Sequence, residues 1–281
     1  MKPIQYIKAK QQLWANINNI VLVGSKLDRG EKAYTKSLTE NLFQPLSSTT
    51  EKELKQGDGN ELSSGIYPAK IQALHSSSAL TMNFFDFWKA QSDKSVIAKA
   101  LSIPSHNIES IAFEKKYRIF SSSKSPNIDV VFEYKDGSSC AVECKFTEPF
   151  VHRNNNGLKE KYLADYDWDP IPAIHKLAGT ISPNDNHFLY LHAAQLVKHI
   201  LGLMTCYNSD KTKFRLVYLY YDVYGEKGFY HQQEINEFVE VVKKDGICFT
   251  SITWQDVILN ISNLSSYTNT EYTKYLVERY L

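Results

Sequence analysis

Two strand-like runs joined by a four-residue turn constrain this chain more than any other feature. The first, Ile128-Asp-Val-Val-Phe-Glu-Tyr134, has Asp129 near its head. The second, Cys140-Ala-Val-Glu-Cys-Lys-Phe146, carries Glu143 and Lys145, and Lys135-Asp-Gly-Ser138 lies between them. Both runs are rich in β-branched and aromatic residues, and the turn holds an Asp-Gly pair, so the segment is expected to be a β-hairpin. A purely structural hairpin has no need of two carboxylates and an ammonium inside apolar runs.

Side-chain parity decides whether those charges can meet. Alternate residues of a strand face opposite sides of the sheet. Ile128, Val130, Phe132 and Tyr134 should share one face, with Asp129, Val131 and Glu133 on the other. In the second run, Val142, Cys144 and Phe146 oppose Ala141, Glu143, Lys145 and Thr147. A two-residue Asp136-Gly137 turn would pair Tyr134 with Ser139 and separate Asp129 from Glu143. A three-residue loop, with Gly137 left-handed in a bulge, pairs Tyr134 with Ser138. That register sets Asp129 directly across from Glu143, with Lys145 diagonal to the aspartate. The three-residue loop is the expectation.

Context singles out this pair of runs. Glu-x-Lys occurs three times, at Glu53-Leu-Lys55, Glu114-Lys-Lys116 and Glu143-Cys-Lys145. The first lies in a polar stretch and the second in a charge cluster, and both read as solvated surface. Only the third sits among β-forming residues and follows an aspartate on a paired strand.

The arrangement resembles the PD-(D/E)xK nuclease superfamily, with Asn127-Ile128-Asp129 as the first half-motif and Glu143-Cys144-Lys145 as the second. The proline that usually precedes the aspartate is displaced, Pro126 lying three residues ahead. The resemblance implies an α/β fold: a mixed central β-sheet flanked by helices, a restriction-endonuclease-like core with N-terminal and C-terminal helical additions. It implies one nuclease-like domain over residues 1–281, with a core at about 75–221, an N-terminal extension at 1–70 and a C-terminal α/β extension at 230–281. It also implies Mg²⁺- or Mn²⁺-dependent phosphodiester hydrolysis, most simply of DNA. Asp129, Glu143 and the Cys144 backbone carbonyl would ligate the metal, a hard ion that takes oxygen donors. Lys145 would orient or deprotonate the attacking water. The Cys144 thiol should face the opposite, apolar side.

Some families of this fold carry Gln-x-x-x-Tyr on the helix after the Glu-x-Lys strand. Here Gln195-x-x-x-His199 occupies that stretch, with histidine in place of tyrosine. A helper role for Gln195 and a plain surface glutamine both stay open. An upstream acid, Glu114 or Glu109, could add a ligand, although a solvated edge is the simpler reading of each.

Composition bounds the alternatives. The chain has 281 residues, 43% hydrophobic and 13% aromatic, which suffices for a buried core. Its 32 Lys and Arg against 31 Asp and Glu leave a net charge of +1. A protein that coats DNA nonspecifically is normally more basic, whereas a nuclease needs only a local basic groove. Cys140, Cys144, Cys206 and Cys248 have no close pairing, which speaks against a zinc site. The first residues lack the apolar run of a signal peptide and no run reaches transmembrane length, so a cytoplasmic protein without membrane partners is expected. Cutting both strands of a duplex often needs two sites, which suggests a homodimer.

Along the chain, 17–23 reads as a strand or short buried segment, 29–43 as a helix and 47–65 as a loop. Gly24-Ser-Lys26 lacks the glycine and spacing of a phosphate loop. The apolar stretch 76–100 reads as one or two helices, with Ser residues after His75 as the cap and His75 itself as structural. A strand is expected over 111–120, and helices over 188–206, 232–244 and 271–280. Strands are expected over 214–221 and 247–254. Residues 150–186, including Arg153-Asn-Asn-Asn-Gly157, read as a loop: a lid, a substrate-contacting insertion or a folded-back hydrophobic flap. Its Tyr162, Tyr166 and Trp168, beside Lys159 and Lys161, suit stacking on bases or packing on the core. Two rivals to catalysis remain: an inactive nuclease-like fold that binds nucleic acid or protein, and a hairpin whose charges form a surface salt-bridge patch. A Ser-His hydrolase lacks its Gly-x-Ser-x-Gly elbow.

Overall fold

The hairpin closes through the three-residue loop. In the computed structural model, which describes residues 2–62, 65, 67–120, 125–151, 157–264 and 270–281, Tyr134 N–H donates to Ser138 O at 3.0 Å and Gly137 N–H to Tyr134 O at 2.9 Å. Gly137 has φ +78°, a conformation open to glycine at little cost. The ladder runs from Glu133–Ser139 to Val130–Val142. The next step outward sets Asp129 against Glu143.

The described elements, in chain order, begin with α1 (Pro3–Ile17), β1 (Leu22–Gly24), β2 (Lys32–Thr35), α2 (Ser48–Gln56), α3 (Ser77–Ala90) and α4 (Ser95–Ala100). Three antiparallel strands follow, β3 (Ile108–Lys116), β4 (Asn127–Tyr134) and β5 (Ser139–Lys145). Then come α5 (Glu160–Asp165), α6 (Pro172–Thr180), α7 (Ala193–Cys206), β6 (Phe214–Tyr220), α8 (Glu226–Lys244), β7 (Phe249–Thr253), α9 (Trp254–Asn263) and α10 (Glu271–Tyr280). The main sheet has the order β3-β4-β5-β6-β7. β5, β6 and β7 are parallel, and helical crossovers return the chain between them. This is an α/β molecule with a mixed five-stranded sheet covered on both faces. One layer packs α3, α4, α9 and α10 through Phe84, Phe85, Trp88 and Trp254. The other packs α6, α7 and α8 through Ile174, Ile200, Leu203 and Phe238. Every residue of β5 is buried, so any charge on that strand must find its partner inside the protein.

Alternation on β4 holds from Val130 to Tyr134 and fails at Ile128. Val130, Phe132 and Tyr134 join the α3 layer, whereas Ile128 packs with Val131 in the α7 layer. The cause lies across the sheet. Glu114 of β3 takes a left-handed φ of +52°, and beyond it Tyr117 and Ile119 also turn to the α7 layer, unlike Ile111 and Phe113 before it. The register Phe113–Val130 and Lys115–Ile128 places Glu114 opposite Asp129 at this switch.

Elsewhere the boundaries move. The stretch 29–43 is not a helix: Lys32–Thr35 pairs with Leu22–Gly24, and only a 3-10 turn at Thr39–Asn41 follows. The stretch 47–65 is not a loop throughout, because Ser48–Gln56 is helical. Ser47 caps it, Thr50 donates to Asp86 of α3 at 2.6 Å, and Glu53 accepts from the Phe113 N–H of β3 at 3.1 Å. Helix α7 starts at Ala193, not Phe188. Glu234 of α8 takes the N–H groups of Leu189, Tyr190 and Leu191 (2.7–2.8 Å), holding them out of the helix. The 150–186 region contains two helices. Tyr162 and Trp168 are buried in the α7 layer, so that part is a folded-back flap; Arg153 to Asn156 lie outside the described residues. The segment 76–100 is two helices, the first capped by Ser76, and His75 stands 3.4 Å from Asp28.

Candidate active site

A cleft of about 1170 Å³ opens where β3, β4 and β5 meet the start of α3 and the first turns of α7. Asp129, Lys145 and the edge of Cys144 line it, as do Glu114 and Gln195. Five of the residues singled out by sequence therefore share one cavity. Glu143 differs: its side chain is 1% exposed and lies beneath the cleft wall. It is nonetheless on the same side of the sheet as Lys145, and the two form an ion pair there.

Glu143 is gripped from both ends. Lys145 Nζ donates to Oε1, and His199 Nε2 of α7 stands 2.8 Å from Oε2, within ion-pair range. Burial alone would raise the pKa of this carboxyl. Lys145 and His199 outweigh burial and hold it at about 2. Lys145 is pushed the other way from what burial demands: Glu143, Asp129 and Glu148 raise its pKa. The pair is thus ionised on both sides in a site where isolated charges would be neutralised.

Asp129 is in the opposite condition. Its Oδ2 accepts the Cys144 N–H at 2.7 Å, which orients the carboxyl but neutralises little charge. Burial and the neighbouring Glu143 raise its pKa well above the ordinary carboxylate range, Glu114 adds to this, and Lys145 only partly compensates. Glu114 is likewise raised to about 6, first by burial and then by Glu143 and Glu61, while Asn127 Nδ2 donates to its Oε2 at 2.8 Å. Glu114 is therefore no solvated edge acid. It belongs to the cleft, in a backbone conformation that costs about 1–3 kcal/mol for a non-glycine residue. Helix α2 ends close against it: a β-carbon on Gly57 would stand 2.6 Å from Glu114 Oε2. Glu109 is exposed.

The cleft is lined by charges of both signs: Asp58, Glu61, Glu114, Asp129 and Glu148 lie on the strand and α2 side, while Lys159, Lys198 and Lys227, with one acid, Asp185, come from the helical side. Lys198 is half-buried, and its pKa is lowered by that burial. Gln195, one turn earlier on α7, accepts from His192 Nδ1 through its Oε1 at 3.3 Å and faces the same cleft. The Cys144 thiol is buried in the α3 layer beside Thr81, and its carbonyl accepts from Ser77 Oγ at 3.2 Å.

Among the described residues, no three His, Cys, Asp or Glu side chains converge into a ready metal cage. The donors that are present still suit Mg²⁺. They are hard oxygens on neighbouring strands, and magnesium is usually held by one or two carboxylates while it keeps several waters. A bound cation would favour the ionised form of Asp129, which burial and the neighbouring acids disfavour.

Two residues complete this electrostatic arrangement beyond what the sequence showed: His199, given no role, and Glu114, named as a possible extra ligand but read more simply as a solvated edge. His199 was seen only as a mismatch to tyrosine, yet its i, i+4 spacing from Gln195 puts both on adjoining parts of one helix face. Glu114 faces Asp129, a pairing that requires the β3 register and a left-handed residue that alternation does not anticipate.

A family model described as Restriction Endonuclease associating with ARP matches residues 8–281. No curated protein and no solved structure matches the chain. Among the described residues, no helix is long and apolar enough to cross a membrane.

Proposed function

The chain belongs to the family described as Restriction Endonuclease associating with ARP, and from that premise we propose that it is a nuclease that hydrolyses DNA phosphodiester bonds with Mg²⁺ or Mn²⁺. Its sheet has the restriction-endonuclease-like arrangement, and the nuclease-like character of the family agrees with it. The observation that carries the finer reading is the pairing of Asp129, left short of positive charge in the cleft, with a Lys145 whose ammonium is locked by Glu143.

Asp129, Glu143 and the Cys144 carbonyl would hold the cation. When bound, it supplies Lewis-acid polarisation of the phosphate and a more acidic water. Lys145 stays protonated, because its pKa is raised, and it therefore orients the water and offsets phosphate charge rather than removing a proton. Gln195 offers an amide to the same space. Lys198 and Lys159, on the helical side, suit the flanking phosphates of the strand. The acids of the strand and α2 side repel backbone phosphate, which directs the strand along the α7 side of the cleft.

The test is incubation of purified protein with supercoiled plasmid and Mg²⁺. Nicking or degradation is expected, with loss in EDTA and in Asp129→Ala, Glu143→Ala and Lys145→Ala. A salt-sensitive mobility shift with no cleavage under any cation would instead identify a nuclease-like binding module.

A further inference from the structure

Glu143 is the most deeply buried acid of the site, and two bases reach it from different elements. Lys145 comes from its own strand and was expected. His199 comes from α7, fourteen residues of largely apolar helix whose Leu196, Val197, Ile200 and Leu201 are all fully buried. A histidine at 0% exposure in such a helix needs a polar partner, since burying an imidazole unpaired is unfavourable. Its Nε2 lies 2.8 Å from Glu143 Oε2, in ion-pair contact but not aligned as a hydrogen bond, and among the described residues neither atom has another hydrogen-bond partner. Among the described residues His199 Nδ1 likewise has no hydrogen-bond partner. Glu143 is thus the polar group that the imidazole meets among the described residues.

We propose that His199 is a positioning residue: it fixes the carboxylate of Glu143 from below, so that the opposite oxygen meets Lys145 and the cleft in one orientation. This rests on the nuclease reading above and deepens it. A carboxylate on a strand has two free torsions beyond its β-carbon, and Lys145 alone, a flexible point donor, constrains only one oxygen. With His199 on the second oxygen the group cannot swing about its Cγ–Cδ axis. Metal-ligating groups are commonly oriented by such outer partners, whose removal typically lowers metal affinity or activity about 10–100-fold. The buried location of His199 also keeps water from competing for Oε2. Other charged groups near the pair are Lys198 on the same helix, Asp129 on β4 and Lys145 on β5.

The test compares the wild-type protein with His199→Gln and His199→Leu. Glutamine carries an amide nitrogen at about the reach of Nε2, and leucine fills the space without a donor. Mn²⁺ binding is read from its paramagnetic signal, plasmid cleavage from initial rates across DNA concentrations, and folding from thermal melts. The expected result is Mn²⁺ affinity and kcat reduced about 10–100-fold in His199→Leu, KM for DNA unchanged, and both restored to within a few-fold in His199→Gln. Wild-type Mn²⁺ affinity and kcat in His199→Leu, with only a lowered melting temperature, would overturn the inference and leave His199 a structural residue. A wild-type protein that neither binds Mn²⁺ nor cuts DNA would overturn the nuclease reading itself, and the inference with it. Should His199→Leu fail to fold, His199→Asn, whose shorter side chain withdraws from Oε2, carries the same comparison.

Discussion

Glu143 and Asp129 face each other across one rung of a hairpin, yet their surroundings treat them oppositely. Glu143 sits beneath the cleft with a lysine and a histidine on its two oxygens, and its pKa falls to about 2. Asp129 lines the cleft with a backbone N–H on one oxygen and two further carboxylates nearby, and its pKa rises. The same functional group is over-supplied with positive charge at one position and starved of it at the next. Pairs of titratable groups pushed apart in this way are how a fold assigns different roles to like side chains. Glu143 is the preset side of the proposed cation site, held by Lys145 and His199, and Asp129, backed by Glu114, is the side whose ionised form an external cation would favour.

The sharpest way to break this comparison is to remove the charges that face the cleft. Asp129→Ala and Lys145→Ala should each lower plasmid cleavage by about 10³-fold or more, as expected for loss of electrostatic and positioning groups. A loss under tenfold in either would end the proposed division of roles. Next in size is Glu143→Ala. It strands the buried Lys145 ammonium, and denaturant unfolding should report about 3–5 kcal/mol of lost stability. Asp129→Ala should cost far less stability, or even add some, since it relieves crowding among acids.

A third measurement follows stability against pH. The folded-state pKa of Glu143 lies below its ordinary 4.5, so its contribution is complete above pH 4.5 and is lost as pH falls toward 2. Glu114, raised from 4.5 to about 6, has the reverse sign. Its contribution is complete below pH 4.5 and is lost as pH rises through 6. Glu114→Gln should therefore reduce the decline between pH 4.5 and 6, to which Asp129 also contributes, and stabilise the protein at pH 7 by about 1–2 kcal/mol. A smaller effect separates the two sides of the cleft: Lys198→Ala should reduce the dependence of log binding affinity on log salt by about one unit, whereas Glu61→Gln should leave that slope unchanged. Smallest is Gly137→Ala, which forces a left-handed alanine into the loop that aligns the rung. It should lower stability by about 1 kcal/mol, read in urea.

How much of this was legible depends on where the determining contacts lie. The rung itself was readable, because hairpin register follows from an Asp-Gly loop and from period-two alternation, both local in sequence. The helices over 77–100 and Glu271–Tyr280 were readable for the same reason, as local apolar runs, the first with a serine cap. The N-terminal region was not. Ala33, Leu38 and Leu42 mimic a helical stripe, but Lys32–Thr35 is recruited as a strand by Leu22–Gly24, and Tyr34 bridges to Ala73. Helix α2 buries only Thr50 and Leu54, so its polar composition disguised it; tertiary bonds to Asp86, Lys89 and Phe113 give it its place.

Within the site, the residues carried by the hairpin could be given roles in advance, whereas Gln195 and Glu114, from other elements, were named with their roles left open and His199 was given none. His199 reaches Glu143 across 56 positions of chain through the packing of α7, which no local pattern encodes. Glu114 needed the β3–β4 register and the left-handed turn that swaps faces at that point. The expectation that all three motif side chains would project into one open pocket also required amendment. β5 is buried along its whole length, so Glu143 works from behind the wall.

The central claim is that the unbalanced carboxylate in the cleft is built for a divalent cation. Calorimetric titration of Mn²⁺ into the wild-type protein and Asp129→Asn tests it most directly. Saturable binding to the wild-type chain, weakened at least about tenfold by the substitution, is the predicted result. Equal binding to both proteins, or none to the wild type, would contradict it.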